Sequence, residues 1–182
     1  MPETVPTSET VPTSETAPVF EAVLVAVGAN LPSAGRTPLD TCRWAVEQLA
    51  AVPGLRLRGV SRWYATRPVP ESDQPSFING VALLAGTAEP GWLLHALHGI
   101  EAAAGRARGV PNAARTLDLD LLAMDGRVVS TPGLVLPHPR LQQRAFVLAP
   151  LRDVLPGWRH PVLGGTVEEL LAMVPDAGIR PL

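Results

Sequence analysis

The sequence contains no lysine, and all 15 of its basic residues are arginines. A Walker-type phosphate loop and a Schiff-base mechanism both need a lysine side chain, so these two kinds of chemistry are excluded. The single cysteine, Cys42, excludes an internal disulfide and a zinc site built from cysteines. A single cysteine is consistent with a reducing compartment, so we expect a cytoplasmic protein.

Long apolar runs and a strong net charge are also missing. No stretch approaches the roughly 20 apolar residues of a membrane helix, and the acidic start of the chain does not resemble a signal peptide. The formal net charge is -2, so we expect neither a nucleic-acid partner nor a membrane partner. The length of 182 residues, with 46% hydrophobic and 18% charged residues, predicts one folded domain with a sizeable core.

The first residues form a repeat. The segment VPTSET at Val5–Thr10 recurs at Val11–Thr16. A stretch of Pro, Ser, Thr and Glu cannot bury enough apolar surface to offset its ordering entropy. We therefore predict that residues 1–18 form a disordered extension and that residues 19–182 form the single domain.

Hydrophobic periodicity predicts the element order β-α-β-β-α-β, followed by a short hairpin and further helices. The predicted strands are residues 22–30, 55–66, 76–87 and 116–124, and the predicted helices are residues 37–52, 90–108, 141–153 and 166–174. Asp125-Gly126 predicts a turn that folds residues 127–130 back as a hairpin. This order is the split βαβ, or ferredoxin-like, pattern: an α+β fold with a mainly antiparallel sheet and its main helices on one face.

Two aspartates lie in the leucine-rich segment RTLDLDLL, residues 115–122. Because strand side chains alternate between faces, Thr116, Asp118 and Asp120 share one face and the leucines share the other. Carboxylates about 7 Å apart repel each other when both are ionised, and a divalent cation or an arginine relieves that repulsion. Hard oxygen ligands beside a phosphate indicate magnesium. For an isolated pair of this kind, an exposed strand face with solvated aspartates is the alternative.

Arg106, Arg108 and Arg115 come just before this strand, on a segment that contains glycine and proline. Guanidinium groups that can hold phosphate, next to carboxylates that can hold magnesium, indicate a nucleoside triphosphate site. A solvated helix C-terminus would account for Arg106 and Arg108, but it would not account for Arg115.

Four segments together resemble a known family. They are VAVGANL (25–31), SRWYATRPVPESDQPSFIN (61–79), RTLDLDLL (115–122) and LPHPRLQQRAFVLAPL (136–151). In this order they closely resemble the 6-hydroxymethyl-7,8-dihydropterin pyrophosphokinases of folate biosynthesis, over nearly the whole chain apart from the N-terminal repeat. The resemblance implies transfer of the terminal diphosphate of ATP to the hydroxymethyl oxygen of the pterin, with release of AMP. We expect a monomer that acts on these small molecules.

On the phosphate side, the resemblance implies that Asp118 and Asp120 hold two magnesium ions bridging the ATP phosphates. The catalytic residues that it implies are the two aspartates with Arg106 and Arg115. The residues that it places against ATP are Glu101, Arg106, Arg108, Arg115, Leu121, His138 and Arg144. Because no residue is a convincing general base, we expect positioning and metal electrostatics to supply most of the rate enhancement.

On the pterin side, the resemblance implies that Phe77 and Phe146 sandwich the ring and that Asn79 pairs with its edge. Backbone groups of Thr66 and Val69 are expected to complete the edge contacts. Without the resemblance, both phenylalanines would be interpreted as core residues and Asn79 as part of a bulge.

Three positions depart from the family pattern: Pro70, Pro111 and Gly133. Pro70 stands where family members commonly have glycine. Pro111 lies in the loop before Arg115, where they usually have a charged residue and often a tryptophan. Gly133 stands where relatives can have arginine. None of them is an aspartate or part of the aromatic pair, so we expect activity, with an altered loop before Arg115.

Two other classes of protein share parts of this pattern. Nucleotidyl transferases of the polymerase palm or cyclase type also carry two aspartates on a ferredoxin-like sheet, but polymerases would need a basic nucleic-acid surface. A ferredoxin-like module that binds a small molecule or RNA would account for the fold, but not for carboxylates combined with arginines.

Overall fold

The computed structural model describes residues 21–68, 72–106, 114–175 and 178–182. Its strands are β1 (Glu21–Ala29), β2 (Leu55–Val60), β3 (Tyr64–Thr66), β4 (Phe77–Gly86), β5 (Asp118–Met124), β6 (Val129–Thr131), β7 (Leu134–Leu136) and β8 (Arg180–Pro181). Its helices are α1 (Pro38–Ala50), α2 (Pro90–Ala103), α3 (Ala145–Val154) and α4 (Val167–Met173), with one 3-10 turn, Leu141–Gln143. The predicted N-terminal extension lies outside the described residues.

In the main sheet, β1 lies between β4 and the edge strand β5. The strand order of this sheet is β5-β1-β4-β3-β8, and β2 also pairs with β4. Every pairing is antiparallel, and β1 is bonded to β4 along its whole length and to β5 on its other side. With α1 between β1 and β2 and α2 between β4 and β5, this arrangement confirms the ferredoxin-like fold predicted from the sequence.

Helices cover both faces of this sheet. On one face α1 and α2 bury an apolar core that contains Leu49, Leu93 and Leu97. On the other face α3 and α4 pack over a second core, which includes Leu24, Val81, Leu122, Leu148 and Leu170. The two main helices therefore share a face as predicted, and the C-terminal helices cover part of the opposite face. No helix in the described part of the chain is long and apolar enough to cross a membrane.

The predicted hairpin after β5 is wrong. Asp125 does take a turn conformation, with φ of 47°, but β6 pairs with β7 in a separate two-stranded sheet instead of with β5. The turn between β6 and β7 contains Gly133 at φ of 85°, a conformation that favours glycine. The absence of arginine at position 133 therefore coincides with a local backbone requirement.

Two other predicted elements are split. Residues 55–66 form β2 and β3, because the Ser61 hydroxyl accepts the Val81 N–H at 2.9 Å and interrupts the regular ladder. Residues 141–153 contain the 3-10 turn and then α3, with Arg144 between them in an extended conformation. The short strand β8, which pairs with β3, was not predicted.

The core under α3 supports the part of the helix that follows Arg144. We predict that Leu148→Ala lowers the free energy of unfolding by about 2–5 kcal/mol, because Leu148 is fully buried and its truncation leaves a cavity. The measurement is urea denaturation followed by circular dichroism. Met173→Ala, on the exposed surface of α4, is the control, and we expect it to change stability by less than about 0.5 kcal/mol. Equal effects of the two substitutions would contradict this description of the core.

Candidate active site

The two aspartates lie on one face of β5, as the sequence predicted. Their side chains are half-buried and alternate with the buried side chains of Leu119 and Leu121, which join the core under α1 and α2. The side chain of Leu121, expected to contact ATP, is therefore turned away from the aspartate face. The same backbone alternation that buries the leucines on one face holds both carboxylates, half-buried, on the other face of β5.

Arginine side chains neutralise both carboxylates. Asp118 accepts hydrogen bonds from Arg106 at 2.7 Å and from Arg115 at 2.5 Å, one on each carboxylate oxygen. Asp120 accepts one from Arg144 at 3.1 Å. Charge-assisted hydrogen bonds of this kind are stronger than neutral ones. Three of the predicted phosphate-contacting arginines thus meet at the two predicted metal ligands.

Glu101 lies beneath this ion-pair cluster and is only 2% exposed. Its Oε1 accepts the backbone N–H of Leu119 at 2.8 Å and also forms an ion pair with Arg106. The structure thus places Glu101 as a support that joins the end of α2 to β5 and orients Arg106. Its sequence signal is the i, i+4 spacing from Leu93 through Leu97, which puts a carboxylate on the apolar face of α2.

His138 faces Asp120 from the loop after β7. Its backbone N–H donates to the carbonyl of Leu122 at 2.8 Å, so β5 itself positions the loop. The Nδ1 atom accepts the Arg140 N–H at 3.2 Å, which leaves the proton of the neutral ring on Nε2, 3.9 Å from Asp120.

Burial and opposing charges set the protonation of this group. The pKa of His138 lies below its ordinary value because burial disfavours the imidazolium form; Asp120 opposes that shift and Arg144 adds to it. Burial also lowers the pKa of Arg144, against the attraction of Asp120. His138 is therefore neutral at pH 7 and can donate one hydrogen bond from Nε2.

The predicted pterin residues lie on the same face of the sheet, two strands away. Asn79 donates a 2.7 Å hydrogen bond from Nδ2 to the hydroxyl of Thr66, so the Thr66 side chain orients the Asn79 amide. Phe77 opens β4 and pairs with Thr66 across the strands. Phe146 lies in the first turn of α3, half-buried, with the Arg144 guanidinium carbon 5.5 Å from the centre of its ring.

Gly28 connects these two groups of residues. It pairs with Asn79 on β4 and with Asp118 on β5, so the three residues form one row across the sheet. A Cβ atom at position 28 would lie 2.9 Å from Oδ1 of Asn79, a distance that real Cβ atoms do not show. The neighbouring strands are about 4.8 Å apart, which separates the Cα atoms of Asn79 and Asp118 by roughly 10 Å.

Two predicted site residues, Val69 and Arg108, lie outside the described residues, as do Pro70 and Pro111. Within the described ranges, no group of three or more His, Cys, Asp or Glu side chains could hold a metal ion. A cation at this site would therefore have two protein carboxylates and would take its other ligands from substrate or water, which is usual for magnesium.

Comparison with known proteins adds independent information. The family model described as 7,8-dihydro-6-hydroxymethylpterin-pyrophosphokinase (HPPK) matches residues 24–156. The chain belongs to this family. It is therefore an enzyme that transfers pyrophosphate, and the matched segment contains every site residue discussed above.

Relatives of this pyrophosphokinase span bacteria and eukaryotes. The 2-amino-4-hydroxy-6-hydroxymethyldihydropteridine pyrophosphokinase of Pseudomonas aeruginosa is 41% identical over 162 residues, which cover 89% of this chain and 97% of the relative. The protein of the same name from Methylorubrum extorquens is 43% identical over 137 residues, 75% of this chain and 85% of the relative. The folic acid synthesis protein fol1 of Pneumocystis carinii is 32% identical over 162 residues, 89% of this chain and 21% of that protein.

Solved structures of the family support the fold. A crystal structure of Plasmodium falciparum HPPK-DHPS with pterin and p-hydroxybenzoate superimposes with a TM-score of 0.65 at 12% identity. The superposition covers 88% of this pyrophosphokinase and 44% of that chain. This pyrophosphokinase thus spans less than half of that chain and about a fifth of fol1.

The environment of His138 can be tested by nuclear magnetic resonance in the protein without nucleotide and magnesium. We predict that the His138 ring titrates below its ordinary pKa of 6.5, because burial disfavours its charged form. Asp120→Asn should lower the pKa further by removing an attractive charge, and Arg144→Gln should raise it by removing a repulsive one. The His138→Gln variant assigns the signal. A pKa that rises in Asp120→Asn would contradict the described geometry.

Proposed function

We propose that the pyrophosphate donor is ATP, that the acceptor is the hydroxymethyl oxygen of 6-hydroxymethyl-7,8-dihydropterin, and that AMP is the second product. The observation that carries this proposal is the row formed by Asn79, Gly28 and Asp118. It sets an amide and two aromatic rings beside a carboxylate–guanidinium cluster on one sheet face. A planar ring and a polyphosphate need these two kinds of surface, within reach of each other.

The charge of the cluster suits a nucleoside triphosphate bound with two magnesium ions. Three carboxylates, of Glu101, Asp118 and Asp120, are bonded to three guanidinium groups, so the cluster is close to neutral. Two divalent cations together with a tetra-anionic triphosphate add no net charge. In that state the arginines would turn from the carboxylates to the phosphate oxygens, for which their planar forks are suited.

Asp118 and Asp120 would hold the magnesium. Their oxygens are hard ligands, both point to the same face, and the half-buried setting leaves them accessible. When bound, the metal neutralises charge on the transferred diphosphate and favours an in-line geometry. The chain itself contributes the fixed position of these carboxylates, because their strand is bonded to β1 and the side chain of Glu101 bonds the peptide between them.

Two residues are suited to bind the phosphates directly. Arg144 and His138 approach Asp120 from the loop before α3, and both can redirect a donor to an anion. Neutral His138 offers a hydrogen bond from Nε2, and its Nδ1 lone pair already accepts the Arg140 N–H, so neither ring nitrogen is placed to take a proton from the substrate. We therefore assign positioning and electrostatic stabilisation to these residues rather than general-base catalysis.

The pterin would lie against Phe77 and Phe146, with its edge on Asn79. An amide offers a donor and an acceptor at one edge, and the Thr66 hydroxyl fixes which way the Asn79 amide points. With Nδ2 bound to Thr66, Oδ1 is oriented over Gly28 toward the aspartate side. Binding at this place would bring the hydroxymethyl group toward β5. The monomeric state and the cytoplasmic location expected from the sequence stay predictions.

Product analysis tests the reaction. With ATP, magnesium and 6-hydroxymethyl-7,8-dihydropterin, we predict that AMP and the pterin diphosphate form in equal amounts, and that chelation of magnesium stops both. Chromatography separates AMP from ADP. Formation of ADP would indicate an ordinary kinase, and AMP formed without pterin would indicate a nucleotidyl transferase. Either result would contradict the proposal.

The two-carboxylate metal site is tested by a matched pair of substitutions. Asp120→Asn should lower kcat by at least about a hundredfold and raise the magnesium concentration that gives half-maximal activity, because a neutral amide holds the cation poorly. Asp125→Asn removes the same charge in the exposed turn after β5, and we expect it to leave both values unchanged. Circular dichroism checks that both variants are folded. Full activity of Asp120→Asn at the same magnesium concentration would exclude the proposed metal site.

A further inference from the structure

Asn30, a residue to which the sequence assigned no role, lies between the two halves of the site. It directly follows β1, is 1% exposed, and its side-chain amide is fully hydrogen-bonded. The backbone ladder of β1 ends before it on both sides, at Ala29 with Ile78 and at Gly28 with Asp118. The side chain of Asn30 continues the connection where the two ladders stop.

On the β5 side, three hydrogen bonds hold the backbone of Arg115, two of them with Asn30 and one with Leu31. The Oδ1 atom of Asn30 accepts the Arg115 N–H at 2.7 Å, and the Arg115 carbonyl accepts the N–H groups of Asn30 at 3.0 Å and Leu31 at 3.1 Å. The backbone of Arg115 is thus fixed three residues before Asp118, to which its guanidinium is bonded.

On the β4 side, Asn30 holds the segment that leads into the pterin residues. Its Nδ2 donates to Oε1 of Gln74 at 3.2 Å and to the carbonyl of Pro75 at 3.1 Å. Pro75 lies two residues before Phe77 and four before Asn79. A single amide therefore connects the chain entering β4 with the chain entering β5.

We propose that Asn30 is a positioning residue that keeps the pterin half and the phosphate half of the site in register. This role rests on the proposed function, because it assumes that the two substrates bind on the β4 and β5 sides. Only an amide of this length supplies one acceptor toward Arg115 and two donors toward Gln74 and Pro75. Since the group is buried, water cannot replace a lost partner cheaply.

The connection itself is tested by hydrogen exchange of the free protein, measured on peptides that cover residues 72–79 and 114–119. Asn30→Ala removes both arms, and we expect exchange about tenfold faster in both peptides. Asn30→Asp keeps the acceptor for Arg115 but turns a carboxylate toward the Pro75 carbonyl, which can only accept. We expect faster exchange in the first peptide alone. Unchanged exchange in both variants would overturn the proposal.

The consequence for catalysis is tested by steady-state kinetics on the same variants. We expect Asn30→Ala to lower kcat about tenfold to a hundredfold, and Asn30→Asp to raise KM for the pterin more than KM for ATP. Thr41→Val is the control: it removes the hydrogen bond that the buried Thr41 hydroxyl donates to the carbonyl of Thr37, just before α1, at 3.0 Å, and should change neither kcat nor KM by more than about twofold.

The two proposals fail in different ways. If the unsubstituted protein forms no AMP and no pterin diphosphate, the proposed function fails, while the exchange data still decide whether Asn30 joins the two segments. If the unsubstituted protein is active and Asn30→Ala keeps kcat and both KM values within about twofold, the positioning role is wrong. A purely structural residue would lower the melting temperature without the separate shift in pterin KM.

Discussion

The hydrogen-bonded ion pair between Asp118 and its two arginines is the interaction on which the rest of the site depends. Arg106, which follows α2, and Arg115, which precedes β5, both form ion pairs with this one carboxylate. Glu101 supports it from the buried side and is bonded to the same strand. A half-buried carboxylate is stable in this place because each oxygen has a charged partner. The same pairing keeps the guanidinium groups near the position proposed for the phosphates.

The sheet explains how two chemically different surfaces come to be neighbours. In the ferredoxin-like order, β1 separates β4 from β5, so residues far apart in the sequence are joined in single rows. Gly28 occupies the middle of the row that matters, and its missing side chain leaves room for the Asn79 amide. A larger residue there would fill the space between the aromatic side and the aspartate side. The fold thus supplies proximity, and the choice of glycine keeps the site open.

The C-terminal helices complete the site from above the sheet. α3 and α4 pack over a core that includes Leu122 on β5. The row formed by Asn79, Gly28 and Asp118 lies at the end of the same face and is not part of that core. Arg144 precedes α3, extended, and reaches Asp120, while Phe146 follows in its first turn. The packing of α3 on the core therefore positions Arg144 and Phe146 beside the polar end of the sheet.

The sequence by itself determined the strand alternation of Asp118 and Asp120 and the ferredoxin-like order, because periodicity is a local property, and four of its segments carried the resemblance to a pyrophosphokinase family. It did not determine the pairing of β6 with β7 or the supporting role of Glu101. Nor did it reveal Asn30 as the link between Pro75 and Arg115, partners 45 and 85 residues away. These features depend on which segments meet in space and on which buried polar groups still need a partner there. Only the tertiary structure decides that, since a hydrogen bond between distant segments leaves no periodic trace along the chain.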